Sequence, residues 1–370
     1  MSKFKTIPSV LIGAMSFALT GYVNAEVFSE HNLNTAIINS VKAEDINLVR
    51  SKTKSSGVIT FTFNAFGDSG WSDSHVARPS FRDSFRKAFS KFNQSHSLLG
   101  DFNYINWETT VGNSCDVFWS KPMPSHYAFL TPPGELNSAV ELGFNLIGLA
   151  NNHTYDCLQS TEGKGPLLTL NHIEKLKATL KSNDNIALFS GVFKSKEDEA
   201  PVQRMAVSGG YVPVRFLSAY VGGNLNHCKN MLCDSALKRY VKVMASQKGL
   251  RVLALHSWNP TSHKRLKAIL RSWLARGLVD VAIGTGPHIA ESVAIVKTPS
   301  GQGVLATSLG NFIHPSLGAQ KNNIILQTKW SYDNRSKKLS LQSLKTTKVS
   351  CAGESCKVGA NRHYQIPSPH

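Results

Sequence analysis

Carboxylate, amide and imidazole side chains directly follow several apolar segments of this sequence. The segment LIGLA at residues 146–150 runs into Asn151, Asn152 and His153, and Asp156 comes three residues later. Four more such side chains stand at the ends of other apolar segments: Asp68, Glu108, His256 and His288. Each alone is an ordinary turn residue or structural histidine. Together their oxygen and nitrogen donors match the ligands of Zn²⁺, Mn²⁺ or iron, so their recurrence predicts a metal site.

The apolar segments that precede these residues are predicted to be β-strands, and amphipathic segments alternate with them. VITFTFNAFGDSGW, at residues 58–71, alternates apolar and polar residues and ends in a glycine-flanked Asp68, which is typical of a strand and its following loop. After residue 300 the helical spacing stops and only strands are predicted. This order predicts a mixed α/β fold with helices outside the sheets. Loops after strand carboxyl ends converge on one crevice in such folds, so the polar residues are expected to meet there.

The first residues have the pattern of an export signal. Lys3 and Lys5 precede an apolar run at residues 7–23, and small residues at Val23 and Ala25 predict cleavage after Ala25. An uncleaved anchor is the alternative, but the run is short and interrupted. We therefore expect a periplasmic or secreted protein. Its predicted parts are a signal peptide at 1–25, a polar leader at 26–56, a main domain at 57–348 and a polar tail at 349–370 with a loop disulfide.

The six cysteines agree with an exported protein, because an even number favours disulfides in an oxidising compartment. Cys228 and Cys233 share one short loop, and Cys351 and Cys356 share another. Pairing within each loop leaves Cys115 with Cys157, which is one of 15 connectivities. Zinc–thiolate binding is the alternative, but the spacing within these loops is not that of a zinc site.

The chain is strongly basic, with 41 Lys and Arg against 24 Asp and Glu and a net charge of +17. Such a surface attracts polyanions, although general basicity without a specific partner also explains it. No basic run is interleaved with aromatic residues, so we expect no nucleic-acid partner. The expected partner is an anionic polymer or a phosphorylated small molecule, with peripheral association with the envelope. The sequence leaves the oligomeric state open.

Six motifs, in this order, resemble one family: GDSGW, NWETTVG, GLANNHTYD, LHSW, DVAIGTGPHIAESV and SLGNFI. This is the CapA-type capsule synthesis family of poly-γ-glutamate capsules, which is related to calcineurin-like metallophosphoesterases. The resemblance covers about residues 58–315. It implies a four-layer α/β/β/α sandwich of the metallophosphoesterase type, with a metal centre at the edge of its two sheets.

Carried over residue by residue, the resemblance implies one or two divalent ions, Mn²⁺, Zn²⁺ or iron, with five ligands: Asp68, Glu108, Asn152, His256 and His288. Glu108 would bridge, and the neutral Asn152 would complete the coordination without adding charge. His153 would protonate a leaving group, and Asp156 would orient its imidazole or cap the next element. Thr285 stands where the family usually has a histidine. This departure leaves the number of ions open.

Two functions follow from these expectations. The first is an exported metal-dependent hydrolase or transferase that acts on or handles an anionic envelope polymer or a phosphorylated substrate. The second is a catalytically degenerate module that binds or scaffolds a polyanion. The retained ligands favour the first and Thr285 favours the second. Stoichiometric bound metal would distinguish them.

Overall fold

The predicted strands belong to two mixed β-sheets, which also contain two strands that the sequence did not predict. The computed structural model describes residues 57–71, 84–93, 98–119, 127–182, 187–194, 202–222, 228–314, 320–352 and 355–367. The predicted signal peptide and leader, 1–25 and 26–56, lie outside the described residues. The strands are β1 (Val58–Ser69), β2 (Phe102–Trp107), β3 (Thr110–Val111), β4 (Val117–Phe118), β5 (Leu130–Thr131), β6 (Leu146–Gly148), β7 (Cys157–Gln159), β8 (Leu188–Ser190), β9 (Val202–Val207), β10 (Gly210–Tyr220), β11 (Leu250–His256), β12 (Val281–Thr285), β13 (Val293–Thr298), β14 (Gly301–Ala306), β15 (Gln320–Asp333), β16 (Leu339–Ala352) and β17 (Ser355–Tyr364).

Five α-helices and two 3₁₀ helices lie within the described residues. The α-helices are α1 (Phe85–Asn93), α2 (Pro133–Glu141), α3 (Pro166–Ser182), α4 (Val241–Ser246) and α5 (Pro260–Ala275). The 3₁₀ helices span Asn152–Tyr155 and Asp234–Tyr240. None of the helices in this part of the chain is both long enough and apolar enough to cross a membrane.

Both sheets have a parallel half and an antiparallel half. The seven-stranded sheet has the order β17-β16-β15-β1-β2-β6-β8, in which β1, β2, β6 and β8 are parallel. The six-stranded sheet has the order β13-β14-β12-β11-β10-β9, in which β10, β11, β12 and β14 are parallel. Because parallel neighbours end at the same sheet edge, their following loops can assemble one site.

The two sheets pack face to face. Alternate residues of β1, namely Ile59, Phe61 and Phe63, are at most 2% exposed and share one apolar cluster with Val214 and Phe216 of β10. Period-two alternation puts this set of β1 on one face of its sheet. The apolar area removed from water between the sheets is the main stabilising contribution to this layer.

Helices cover the outer faces of both sheets. Phe85 and Phe89 of α1 pack with Phe66 of β1 on the outside of the first sheet. Leu266 and Leu270 of α5 belong to another cluster, on the outside of the second sheet. The order of layers is therefore helix, sheet, sheet, helix, and the predicted four-layer α/β/β/α sandwich is confirmed.

The predicted cysteine pairing is confirmed, whereas the predicted C-terminal tail is wrong. The structure contains the disulfides Cys115–Cys157, Cys228–Cys233 and Cys351–Cys356, as the simplest pairing predicted. Residues 349–370 were predicted to be a polar tail, but β16 continues to Ala352 and β17 pairs with it antiparallel. The last disulfide joins the facing residues of this hairpin. The tail prediction is corrected because backbone pairing holds this polar segment in the first sheet.

Candidate metal centre

The predicted site residues lie at the carboxyl ends of the parallel strands of both sheets. Asp68 is the second-last residue of β1, and Glu108 directly follows β2. Asn152 begins the 3₁₀ helix after β6, and His256 is the last residue of β11. His288 follows the end of β12 by three residues. The crevice expected from the strand order therefore contains the side chains that the sequence singled out.

Asp68 is completely buried, and backbone geometry fixes its position. The register of β1 against β2 shifts just before Asp68, which re-aims the side chains that follow. Its Oδ1 accepts a hydrogen bond from Asn106 Nδ2 at 2.7 Å, and its Oδ2 accepts one from the Gly286 amide at 2.8 Å. Gly286 has φ +115°, and a Cβ there would collide with the Ser257 carbonyl oxygen. Only glycine fits this conformation without strain, so its amide can reach the carboxylate.

Glu108 is a buried carboxylate without a hydrogen-bond donor. Its Oε1 lies 3.3 Å from His256 Nε2, and its Oε2 lies 3.2 Å from His314 Nε2. Neither contact is well aligned as a hydrogen bond, although the His314 imidazole is close enough to stabilise the ionised carboxylate, and no other donor in the described part of the chain reaches either oxygen. Burying a charged oxygen without a partner is costly. This carboxylate is therefore placed for a ligand rather than for the protein's own hydrogen bonds.

Three potential ligand atoms from Asp68, Glu108 and His288 lie within 4.8 Å of one another. The set consists of two carboxylates and one imidazole, which suits Zn²⁺, Mn²⁺ or iron. The donor chemistry and the unsatisfied oxygens of Glu108 both fit a divalent cation. These three residues form the core of the candidate centre.

His256 connects this core to Asn152. Its Nε2 lies 2.6 Å from Asn152 Oδ1 and, as noted above, faces Glu108. Its Nδ1 lies 3.0 Å from Thr285 Oγ1. Glu108, Asn152 and His256 thus bring a second group of oxygen and nitrogen donors together. Glu108 belongs to both groups, so it is the residue that would be shared if both groups held an ion.

His288 adopts a backbone conformation that is rare for a residue with a side chain. Its φ is +60°, in the left-handed region, where residues other than glycine typically store about 1–3 kcal/mol of strain. The ring Nδ1 contacts Asn311 Oδ1 at 2.6 Å and lies 3.7 Å from Asp68 Oδ2. The conformation turns the imidazole towards the two carboxylates. Strain held at such a position is typical of functional sites.

His153 and Asp156 form a separate pair beside the core. His153 Nδ1 lies 2.7 Å from Asp156 Oδ2, and that oxygen also accepts the Phe129 amide at 2.6 Å. The 3₁₀ helix holds the pair in place because the side chain of Asn151 accepts the His153 amide. Asp156 therefore orients the imidazole, one of its two predicted roles. His153 is next to Asn152 in the chain, so the pair borders the second group of ligands.

The electrostatics of the centre are dominated by burial and by the mixture of carboxylates with imidazoles. Burial would raise the pKa of Glu108, but His256, His314 and His288 together hold it well below its usual value. Burial would lower the pKa of His256, yet Glu108 and Asp68 raise it above its ordinary value. Glu108 is thus ionised in the folded protein, and the centre offers negatively charged oxygen to a cation.

The His153 pair shows the same balance. Burial opposes protonation of His153, but the neighbouring carboxylate of Asp156 outweighs it and raises the pKa of the imidazole. The pKa of Asp156 is raised by burial, which exceeds the opposing effect of His153. Protonated His153 is therefore more populated near neutral pH than a free histidine would be.

His314 also belongs to this site, although no sequence motif singled it out. Its ring is buried, contacts Glu108 as described above, and lies 5.6 Å from the ring of His288. Burial lowers its pKa, although Glu108 opposes this. His314 directly follows the SLGNFI motif. Its position next to that motif was the available signal, but a histidine in a loop before a proline has many ordinary explanations.

All seven predicted site residues therefore lie in one region of contiguous contacts. Asp68, Glu108 and His288 form the core. His256 contacts this core at Glu108 and Asp68, Asn152 contacts His256, and His153 with Asp156 follows Asn152 in the chain. Thr285 contributes a hydroxyl to His256 where the resemblance would place an imidazole. The donor set of Asp68, Glu108 and His288 suits a divalent cation, and the His153–Asp156 pair lies next to Asn152 beside it.

Comparison with known proteins gives one family and a few distant folds. The family model described as "Bacterial capsule synthesis protein PGA_cap" matches residues 62–316. A structure titled as a novel phosphatase from Mycoplasma pneumoniae is 12% identical with a TM-score of 0.44, covering 80% of this chain and 95% of that one. A hypothetical protein from Thermus thermophilus is 11% identical with a TM-score of 0.39, covering 82% of this chain and 98% of that one. No curated protein matches the sequence significantly.

Proposed function

We propose that this chain, which belongs to the bacterial capsule synthesis protein family PGA_cap, is an exported metal-dependent hydrolase or transferase. Its substrate would be an anionic envelope polymer, such as poly-γ-glutamate, or a phosphorylated compound. The observation that carries the proposal is the carboxylate of Glu108, which is fully buried, ionised and left without a hydrogen-bond donor among the described residues. A protein that used this carboxylate only for stability would satisfy its oxygens.

A divalent cation at the centre would be held by Asp68, Glu108 and His288, with Asn152 and His256 as the second group of ligands. Such an ion acts as a Lewis acid that stabilises negative charge developing on a phosphoryl or acyl oxygen. The amide of Gly286 and the side chain of Asn106 orient the carboxylate of Asp68. Partners of this kind fix the direction of a ligand and raise its affinity for metal.

His153 would supply the proton to the leaving group. Its Nδ1 is held by Asp156, so Nε2 is the atom left to donate. An imidazolium stabilised by a carboxylate is an effective general acid near neutral pH. Asp156 would act as a positioning residue, because its Oδ2 also accepts the Phe129 amide and is thereby fixed.

Two properties support an exported protein that handles anions. The net charge of +17 favours an anionic substrate by long-range attraction. The three disulfides are typical of an oxidising compartment outside the cytoplasm. Neither property identifies the bond that is cleaved.

A polyanion-binding module without catalysis is the second candidate. It is favoured by Thr285, whose hydroxyl contacts His256 Nδ1 at the position of the expected histidine. A neutral hydroxyl is a weaker ligand than an imidazole and does not replace its electron donation to a metal. The module would use the basic surface and would need no intact centre.

The test is to measure bound metal and hydrolysis in matched variants. The purified mature chain should bind one or two equivalents of Mn²⁺ or Zn²⁺ by elemental analysis and hydrolyse bis(p-nitrophenyl) phosphate or p-nitrophenyl phosphate. Asp68→Asn should lose both metal and activity. His153→Gln should keep its metal but lose about 100-fold or more in kcat. Glu141→Gln, at an exposed position on α2, is the control and should behave like the wild type.

The opposite results favour the module. Absence of stoichiometric metal in the folded wild type, together with tight binding of poly-γ-glutamate, would overturn the hydrolase proposal. Activity that is unchanged in both Asp68→Asn and His153→Gln would also overturn it, because the centre would then play no part in the reaction.

A further inference from the structure

The chain exposes two of its tryptophans, and both line the same cleft. Of the six tryptophans, Trp71, Trp107, Trp273 and Trp330 are at most 6% exposed. In contrast, Trp119 is 58% exposed and Trp258 is 56% exposed. A large indole surface left in water is unfavourable for folding. Exposure of two tryptophans at one cleft therefore indicates a binding role.

This cleft borders the candidate metal centre. It has a volume of about 190 Å³, and its lining includes Asn152 and His153. Three tyrosines complete the aromatic lining: Tyr127, Tyr155 and Tyr220. Pockets for drug-sized ligands typically occupy about 300–1,000 Å³, so this cleft is suited to a smaller unit, the size of one ring. A ligand in it would be next to the atom that we propose donates the proton.

Both tryptophans are attached to ordered parts of the site. Trp258 follows His256 by two residues, and its Nε1 donates to Tyr220 Oη at 3.1 Å. Trp119 follows β4, which pairs with β7, and its amide donates to the Asp156 carbonyl at 2.7 Å. The disulfide Cys115–Cys157 ties β7 to the segment just before β4. The Trp258 ring, held by its own Nε1, loses little conformational entropy when a ligand binds, whereas for Trp119 it is the backbone that is fixed.

The lining indicates a neutral ligand that carries hydroxyl groups. No described residue that lines the cleft is a lysine or arginine, so the cleft itself does not select an anion. The Tyr220 hydroxyl accepts from Trp258 Nε1 and retains its own proton to donate, and the Asn152 amide adds a second polar edge between the apolar ring faces. A hydroxyl both donates and accepts hydrogen bonds, which matches sugar hydroxyls better than the fixed donor and acceptor pattern of a nucleobase edge.

We infer that this cleft is a subsite for one pyranose ring of the substrate, whose anionic group is handled at the adjacent centre. Trp119 and Trp258 supply the faces on which the C–H surfaces of the sugar pack, and Tyr220 and Asn152 contact its hydroxyls. The inference rests on the proposed function for the placement of the anionic group. It narrows the substrate class to a sugar that carries an anionic group, since the described lining contains no lysine or arginine for the successive carboxylates of polyglutamate.

The test measures sugar binding separately from catalysis. Methyl α-D-glucopyranoside, methyl α-D-galactopyranoside and N-acetylglucosamine are titrated into the full mature chain, loaded with Mn²⁺, and followed by calorimetry and by saturation-transfer NMR. The same titrations are repeated after chelation, because a neutral ring needs no metal. Trp119→Ala and Trp258→Ala should each weaken the affinity for the preferred sugar by about tenfold, the effect of losing about 1.4 kcal/mol of aromatic contact.

Tyr211→Ala is the matched control. Tyr211 is 53% exposed but lies near the opposite end of β10 from Tyr220, about 30 Å along the strand. Its removal should leave sugar affinity unchanged. Trp258→Phe and Trp119→Phe should retain most of the affinity, and they carry the test if an alanine variant fails to fold.

The results separate this inference from the proposed function. Sugar binding that persists in a protein without hydrolytic activity supports the subsite and removes only the proposed reaction. Metal-dependent hydrolysis without any sugar binding overturns the subsite alone. Preferential binding of adenosine or uridine, or tryptophan variants that bind sugar as well as Tyr211→Ala does, would also overturn it.

Discussion

Two buried sets of charges in this molecule are built in opposite ways. Asp280 receives three hydrogen bonds from Arg251, one from the backbone amide and two from the guanidinium, at 2.8–2.9 Å. The same arginine also donates to the Gly277 carbonyl. Glu108 is more deeply buried but accepts no hydrogen bond from the described residues. The first pair is satisfied within the protein, whereas the second carboxylate is left for something that binds.

This difference offers a criterion for distinguishing structural from functional charge. A bidentate arginine–carboxylate pair with little exposure stabilises the register of β11 against the strand that follows it. A buried carboxylate among imidazoles, without good hydrogen-bond geometry, stores interaction energy that a cation can recover. Burial alone does not distinguish Asp280 from Glu108, because both are buried. The number of hydrogen bonds that each carboxylate accepts does distinguish them.

The largest predicted effect concerns the satisfied pair. Arg251→Met should lower the free energy of unfolding by about 3–5 kcal/mol, because it leaves Asp280 buried and without its cationic partner. Chemical denaturation at neutral pH measures this change. Combining Arg251→Met with Asp280→Asn should recover part of the loss, since the amide oxygen can still accept the backbone hydrogen bond. A loss below about 1 kcal/mol would indicate that the pair behaves like an exposed one.

Glu108 should contribute to the free energy of unfolding mainly when metal is bound. Adding Mn²⁺ or Zn²⁺ at about 100 times its dissociation constant should stabilise the wild type by about 2.7 kcal/mol. Glu108→Gln should lose nearly all of this gain, because the amide removes the negative charge shared by both groups of ligands. Denaturation with and without metal measures the difference, and Glu141→Gln is the control. A full gain retained in Glu108→Gln would show that the ion binds elsewhere.

From the sequence, the Arg251–Asp280 pair could be predicted only poorly, whereas the position of Glu108 could be predicted well. Asp68 and Glu108 stand directly after strongly apolar strands, so strand periodicity alone placed them at one sheet edge. Arg251 and Asp280 are 29 residues apart, and nothing in their local pattern indicates that they face each other. Their pairing depends on the register of β11, which tertiary packing sets.

The missed elements share a physical cause. In β17 most side chains are exposed on both faces, so no apolar alternation marks it as a strand, and residues 349–370 were predicted to be a tail. His314 follows a loop rather than a strand, and it reaches Glu108 because backbone bridges join the segment near Asn311 to Asp68. Periodicity detects residues whose own element is amphipathic. It does not detect edge strands or loops that tertiary contacts position.

Glu291 forms a partly exposed cluster with His263 and Lys267. This cluster is hydrogen-bonded like Asp280 but less buried, and its predicted effect on stability is the smallest. Glu291 contacts His263 Nε2 at 3.2 Å and Lys267 Nζ at 3.1 Å, and its side chain is 27% exposed. Burial would raise the pKa of Glu291, but these two partners lower it below its usual value of 4.5. A carboxylate with a lowered folded-state pKa stabilises the protein above its unfolded pKa, and this contribution is lost as the pH falls through the folded value.

Glu291→Gln should therefore cost about 1 kcal/mol or less near pH 7 and almost nothing near pH 3, since exposed pairs contribute little. His263 adds an acid sensitivity in both proteins, because burial lowers its pKa and its protonation opposes folding as the pH falls below 6.5; Glu291 partly offsets this lowering, so the sensitivity should be larger in Glu291→Gln. Unfolding free energies across this pH range measure the difference, with Glu174→Gln on the exposed face of α3 as the control. A cost comparable to that of Arg251→Met would mean that a hydrogen-bonded carboxylate stabilises this protein equally whether buried or partly exposed. Structural and functional carboxylates would then be distinguished by their number of hydrogen bonds alone, whatever their burial.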